Sequence, residues 1–274
     1  MEKTLIELEN NLDEDYIRRE KNSVRLLNFL KSRNPLVCNK TMVKILIKKG
    51  VVFNKDYDVL YETLFNNPMF DVAKLLVKSG CYISNISLSY IIYYMYNENI
   101  DIRKQATDLI KIICYKGYDL VKYQKEGGNL INPLIDRNLY DEIEILLQNG
   151  ADPNITYKSL ITGMVEIPAL KVKNIKMLNL LEKYGCDIYL PNGIEWLERL
   201  SFEIQRKGRY DDYRDLYFYL IKKGIVSKKE WEDKRPILSG ICITIQSMRD
   251  IERKTLHILE ENEKKNVKQA TCEL

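Results

Sequence analysis

His257 is the only histidine in the chain, and that narrows the available chemistry. Serine and cysteine nucleophiles are usually activated by an imidazole that takes their proton, and multi-histidine metal sites need more than one ring. One histidine therefore excludes most Ser/His and Cys/His arrangements and all multi-histidine metal sites. It sits in "KTLHILEE" and reads as a partly buried packing residue. A competing reading places an enzyme or toxin site in the C-terminal 50 residues, using Glu230, Asp233 or His257. Converging polar groups in a pocket there would favour it, and a plain helical cap would dismiss it.

The other reactive types are as sparse. Cys38, Cys81, Cys114, Cys186, Cys242 and Cys272 are scattered and form no C-x-x-C pair, so neither a zinc site nor a redox motif is indicated. A reduced, cytosolic compartment is the natural setting for such cysteines. No Gly-x-x-x-x-Gly-Lys phosphate loop exists, and Gly127-Gly128 in "KEGGNL" lacks a preceding strand, so it reads as a mobile loop. The carboxylates of "DEDYIRRE" and "RYDDYRD" alternate with basic partners, the pattern of solvated helix faces. No cofactor and no metal are expected.

The charge balance is near neutral. Lys and Arg number 43 against 39 Asp and Glu, a net charge of +4. Nucleic-acid binding favours a clustered basic face, whereas "KSLITG", "KVKNIK" and "KKGIVSKKEWEDK" are interrupted and spread apart. Nucleic acid is thus an unfavoured partner, and no small-molecule substrate is evident. The acidic N-terminus lacks the apolar core of a secretory signal. The longest apolar candidate, "ISLSYIIYYMY", falls short of the ~20 residues that span a bilayer. These features predict a soluble, cytoplasmic protein with no membrane partner. Asn39, Asn85 and Asn154 each begin an N-x-Ser/Thr triplet, read as chance matches in an asparagine-rich chain.

The elements that must position any site come from a repeat. "MVKILIKKG", "VAKLLVKSG", "LIKIICYKG", "EIEILLQNG", "MLNLLEKYG" and "LYFYLIKKG" end at Gly50, Gly80, Gly117, Gly150, Gly185 and Gly224. Successive separations are 30, 37, 33, 35 and 39 residues. Apolar residues recur seven, five and four positions before each glycine (Ala73 stands at the first of these before Gly80), a spacing that predicts one helical face. Glycine just past the helix end predicts a left-handed cap. A second helical pattern precedes each of three such helices, broken at Asn66-Asn67-Pro68, near Arg137-Asn138, and at Lys207-Gly208. Each unit reads as helix, tight turn, helix and loop. One pair cannot bury its apolar face alone, so neighbours must stack.

The repeat resembles the ankyrin repeat. The closest unit, "NPLIDRNLYDEIEILLQNGADPN", has Asn-Pro-Leu-Ile where the family opens with Thr-Pro-Leu-His, and Gly-Ala-Asp-Pro-Asn where the family has Gly-Ala-Asp-Val-Asn. "DVLYETLFNNPMFDVAKLLVKSG" and "NIKMLNLLEKYGCDI" match more loosely. The resemblance implies an all-α, ankyrin-like solenoid of stacked helix-turn-helix repeats with helical caps. It assigns 1–22 to an acidic cap, 18–225 to about six divergent repeats, 226–260 to a last repeat or helical cap, and 261–274 to a charged tail. Pro236 and Gly240 are expected to break the C-terminal segment, and the final residues to fray. The Thr–His network of the family is absent, because only His257 is present. Cys81 and Cys186 stand where the family places alanine, which implies small, semi-buried side chains, and Cys114 falls on the second-helix stripe. Similar lysine- and tyrosine-rich repeats occur in large DNA viruses and intracellular bacteria. Many poxviral relatives carry a C-terminal F-box-like segment, and none is recognised here.

The resemblance implies a non-enzymatic interaction scaffold that binds a host or cellular protein through a curved surface of loop tips and first helices. Tyr57, Tyr157 and Trp231 lie seven residues after repeat glycines, and Asn192 holds the equivalent place in another unit. Tyr61, Tyr94, Arg137 and Trp196 lie on first helices. Tyr, Trp and Arg anchor interfaces most often, so these eight are the candidate partner-binding residues. Packing between repeats is the competing role for each. An adaptor that delivers bound proteins to a ubiquitin ligase is a third reading.

Overall fold

A computed structural model describes residues 18–28, 30–31, 40–53, 58–66, 68–158, 165–190, 193–207, 210–238 and 245–272. Apart from one pair of two-residue strands, the regular structure in these residues is helical. The chain divides into two compact units, Met1–Leu130 and Ile131–Leu274. The boundary falls inside the run of repeats.

The first unit contains α1 (residues 18–28), α2 (Lys40–Lys48), α3 (Val59–Leu64), α4 (Phe70–Lys78), α5 (Asn85–Met95), α6 (Ile100–Tyr115) and α7 (Leu120–Lys125). The helices ending at the repeat glycines form a row, with α2 packed on α4 and α4 on α6. The preceding helices α3 and α5 pack on each other and on their own partners, α4 and α6. In α1, Asn22 Nδ2 donates to Lys49 O at 3.1 Å, and Ser23 Oγ accepts from Val52 N at 2.8 Å. These bonds hold α1 over the loop that leaves α2.

The second unit contains α8 (Asn132–Asp136), α9 (Tyr140–Gln148), β1 (Tyr157–Lys158), β2 (Val165–Glu166), α10 (Pro168–Lys171), α11 (Ile175–Lys183), α12 (Gly193–Lys207), α13 (Tyr210–Lys223), α14 (Lys228–Leu238) and α15 (Ile245–Cys272). Here α9, α11 and α13 form a row, α8 packs on α10, and α12 packs on α14. β1 and β2 pair antiparallel, Tyr157 opposite Glu166. α15 covers α13, where Lys254 Nζ lies 4.3 Å from the Phe218 ring centroid and Asn262 Nδ2 donates to Ile221 O at 3.0 Å.

All six repeat glycines have positive φ, between 77° and 92°, and each lies just past a helix end. At Gly80 the bonds are Gly80 N to Val77 O and Cys81 N to Leu76 O, both 3.1 Å. The same paired bonds occur at Gly117, Gly150, Gly185 and Gly224. This is the Schellman arrangement, which satisfies carbonyls left over at the helix end. Asn66 and Asn138 take the same left-handed conformation, φ 59° and 55°, in the tight turns after α3 and α8, as asparagine tolerates better than most residues.

The buried stripe is narrower than the sequence pattern predicts. Val43, Ala73, Ile110, Ile143, Leu178 and Tyr217, seven before the glycines, are buried, as are Leu46, Leu76, Ile113, Leu146, Leu181 and Leu220, four before. The residues five before are not. Ile45 is exposed, and Leu75, Ile112, Ile145 and Leu180 are half-buried. At about 100° per residue, that position lies roughly 200° from the one seven before, on the flank of the helix.

Two expectations at the C-terminus are corrected. α14 runs through Pro236 to Leu238 instead of breaking there. Proline's missing N–H forgoes one bond within the helix, and here it falls in the last turn. α15 continues to Cys272, so the tail is helical. From Glu260 to Cys272 it contains no Gly or Pro and is rich in Glu, Lys, Gln and Ala, which favour helix propagation. Residues 1–17 of the acidic cap, Gly208 and Gly240 lie outside the described residues.

Candidate functional site: a tyrosine-lined groove

In the first unit the turn between α3 and α4, α5 and the start of α6 line a groove of about 680 Å³. Its walls include Asn66, Pro68, Tyr90, Tyr93, Tyr94 and Asn97, with Ser89 and Ile102 completing the lining. The volume is in the range of ligand and peptide sites, roughly 300–1,000 Å³.

The groove follows from the residues of α5, "NISLSYIIYYM". Ser84 caps the helix by accepting from Ser87 N at 2.9 Å. Asp58, the cap of α3, accepts from Tyr61 N and from Ser87 Oγ, both at 2.8 Å, and also from Ser84 Oγ. This carboxylate ties the starts of two successive helices together, so α3 and α5 keep a fixed spacing. Leu88, Ile91, Ile92 and Met95 fill the core. Ile86, Ser89 and Tyr93 point outward, with Tyr90 between. Tyr61 and Phe65 pack their rings on Tyr90 at 5.5 and 5.9 Å between centroids, and Phe70 and Tyr93 pack on Tyr94 at 5.6 and 5.3 Å. These edge-to-face contacts hold the lining rings in place. At the far edge Tyr123 OH lies 2.7 Å from Ser89 Oγ.

Of the eight candidate residues, Tyr94 lines this groove and Tyr61 packs on one of its lining rings, Tyr90. Tyr94 is a wall: it is 6% exposed and its hydroxyl donates to Leu64 O at 2.8 Å. Trp196 and Trp231, 0% and 2% exposed, are corrected to core residues. Trp231 Nε1 donates to Tyr217 OH at 2.9 Å, so its one polar group is satisfied inside the second unit. Arg137 is exposed in the turn between α8 and α9, and Tyr157 is half-buried in the hairpin. Tyr57 and Asn192 lie outside the described residues.

Tyr90, Tyr93, Asn66 and Asn97 were not among the candidates. A readable signal existed: from Ser79 to Asn97 no residue is charged, in a chain where 30% of residues are. A solvent-facing helix normally carries charge on its outer face, and α5 carries tyrosine and serine instead.

Glu230 and Asp233 lie on α14 and His257 on α15. Glu230 accepts from Ser227 N and Ser227 Oγ, both at 2.8 Å. Ser227 Oγ accepts in turn from Glu230 N at 3.2 Å. This capping box starts α14, and the backbone N–H of Ser227 holds the carboxyl below its ordinary range. Asp233 is exposed. His257, expected to be partly buried, is exposed, and its Nε2 is 3.7 Å from Glu261 Oε1, one turn along the same helix. Gly127, expected in a mobile loop, caps α7 at φ 95°. A Cβ on Gly128 would lie 2.0 Å from the Tyr123 ring, so the second glycine allows that ring to close over the backbone.

Cys81 and Cys186 are buried, and burial pushes both thiols up to about 12, with Asp58 adding to the effect at Cys81 and Glu182 at Cys186. Cys114 is pushed up by burial to about 11. Such protonated thiols are poor nucleophiles, which fits packing roles. Several lysines of the basic segments are paired at the surface. Lys173 pairs with Asp136 at 3.2 Å, Lys223 with Glu182 at 3.0 Å and Lys228 with Glu260 at 3.6 Å. Lys176 lies 4.3 Å from the Tyr140 ring centroid. Among the described residues, no three His, Cys, Asp or Glu side chains are grouped to hold a metal ion, and no helix is long and apolar enough to cross a membrane.

No family model matches the chain, and no curated protein or solved structure matches it.

Proposed function

We propose that this chain is a non-enzymatic protein-interaction module built of ankyrin-like helix pairs, and that the α5 groove is where it holds its partner. The observation that carries the reading is the groove itself: rigidly packed tyrosines on an uncharged helix face, open to solvent. Aromatic rings of this kind bury much area at low ordering cost and keep a polar handle. The ankyrin-like part draws support from the recurring glycine caps, from the tight turns at Asn66 and Asn138, and from the packing of successive helices within each unit. A cytoplasmic setting accords with the free thiols of Cys81, Cys114 and Cys186.

The test is site-specific photocrosslinking. A photoreactive phenylalanine replaces Tyr93 in one protein and Tyr115, exposed on α6, in another. Both are used on lysate from the cell of origin. A protein crosslinked from position 93 and not from position 115 supports the reading. Identical products from the two positions, or none from 93, refute it.

A further inference from the structure

We propose that Asn149 is a site of spontaneous modification, deamidation through a cyclic imide, and that the cap of α9 decides when it reacts.

The chemistry comes from two adjacent residues. Asn149 is followed by Gly150. A backbone nitrogen can attack the side-chain amide carbon of the residue before it, and glycine, with no Cβ, leaves that approach unhindered. In the step, the Gly150 nitrogen gives its proton to solvent and forms a bond to Asn149 Cγ. The Cγ–Nδ2 bond breaks, and the departing nitrogen takes up a proton and leaves as ammonia. Water then opens the five-membered ring at either carbonyl, giving aspartate or isoaspartate. Gly150 is exposed, and nothing beyond its chain neighbours lies within 4 Å of where a Cβ would stand. Solvent and the ring both have room.

The folded cap withholds each reacting group. Asn149 Nδ2 donates to Ile145 O at 2.7 Å, which turns the side-chain amide back along the helix. Gly150 N donates to Leu147 O at 3.1 Å, so the proton that must leave is engaged. Asn149 N donates to Ile145 O and Leu146 O, both at 3.1 Å, and the residue keeps φ −97° and ψ 18°. Ring closure needs the Asn149 backbone turned out of this near-helical setting. Helix ends open at lower free energy than a core, so the reaction waits on the fraying of one turn and not on unfolding of the chain.

The change runs one way. The aspartate product places a carboxylate at the negative end of α9, facing Ile145 O with no hydrogen to give. Isoaspartate adds a carbon to the main chain, which shifts Gly150 N and Ala151 N out of register with Leu147 O and Leu146 O. The loop that leaves this cap is tied to the next one, because Asn154 Nδ2 donates to Gly185 O at 2.9 Å and Asn154 Oδ1 accepts from Asp187 N at 2.8 Å. Asparagine is not demanded by the cap itself. At the equivalent place before Gly80, Ser79 Oγ donates to Leu75 O at 2.9 Å.

The experiment incubates the full chain at mildly alkaline pH, in urea series below and above the unfolding transition. Peptide mapping reads the amide-to-acid mass change at each asparagine. Above the transition, Asn149 and Asn192, the two asparagines that precede glycine, should convert tenfold or more faster than Asn138 and Asn154. In the folded protein Asn149 should convert tenfold or more slower than in the unfolded chain, and its rate should rise with urea less steeply than global unfolding does. Protein incubated until half of Asn149 has converted should lose melting temperature that Asn149→Ser, incubated alike, keeps. Equal rates at Asn149 in folded and unfolded protein, a folded-state rate that tracks global unfolding, or equal losses of melting temperature in the two incubated proteins overturns the proposal.

Discussion

Tyr94 and Leu64 are joined by a 2.8 Å hydrogen bond from the phenolic hydroxyl to the backbone carbonyl oxygen, across thirty residues of chain. Leu64 is the last residue of α3, so its carbonyl has no partner within the helix. The ring that supplies the proton is also a wall of the groove. One side chain therefore closes a helix end and shapes the site.

Tyr94→Phe keeps the ring and removes the bond. A buried carbonyl left unmet costs about 1–3 kcal/mol, so the variant should show a lower denaturant midpoint with an unchanged slope. Since the ring remains, partner binding measured at a temperature where the protein is folded should fall little.

The repeat glycines and Gly128 should respond to alanine for different reasons. At Gly150 nothing lies within 4 Å of the added Cβ, and the strain comes from φ of 92° alone. Gly150→Ala should cost about 1–2 kcal/mol, and Gly150→Asn less. At Gly128 the Cβ meets the Tyr123 ring at 2.0 Å. Gly128→Ala should displace that ring and break its contact with Ser89, seen as a change in the Tyr123 resonances. Tyr123→Ala, which removes the obstacle, should abolish the additional cost of Gly128→Ala in a double-mutant cycle.

Trp231→Phe should destabilise the second unit by about 2 kcal/mol or more, through lost volume and the lost bond from Trp231 Nε1 to Tyr217 OH. Were Trp231 an interface anchor, the same change would weaken partner binding and leave thermal stability intact. Melting curves and binding titrations on one preparation separate the two outcomes.

Glu144 accepts from Lys183 Nζ at 2.7 Å and from Tyr184 OH at 3.0 Å, and these bonds hold its carboxyl below the ordinary glutamate range. A depressed acid binds its proton less readily when folded than when unfolded. Its contribution is therefore present above the ordinary carboxylate range and lost as pH falls through the lowered value. Lys183 is raised chiefly by the same bond, so its contribution persists below the ordinary lysine range and is lost as pH rises through the raised value. A carboxyl carbon titration should place Glu144 below an ordinary glutamate, and Lys183→Met should return it toward that value.

Much of the local architecture was legible in the residues. Gly80 and Gly150 could be read as helix stops because the left-handed cap is a short-range device, made of bonds spanning six residues. The turn at Asn138 was readable for the same reason. Position five before each glycine was misjudged because it is apolar, and an apolar side chain can lie on a helix flank as well as in the core. The groove was half legible. Tyr61 and Tyr94 were singled out by type, whereas Tyr90 and Tyr93 were passed over, although the uncharged run around them was visible.

Sequence alone determined where the helices of the repeat end, because glycine and asparagine at positive φ act within a single turn. It also determined that the apolar stripes demand neighbours, and that an imidazole-based nucleophile or a multi-histidine metal site has almost no residues to draw on. Which aromatic rings reach solvent was decided only by tertiary structure. Trp196, Trp231 and Tyr93 are alike as large amphipathic side chains, and each sits on a helix. The first two are covered and the third is left open by the arrangement of the helices packed around each. Burial is a property of the assembled neighbours, and residues distant in the chain supply them.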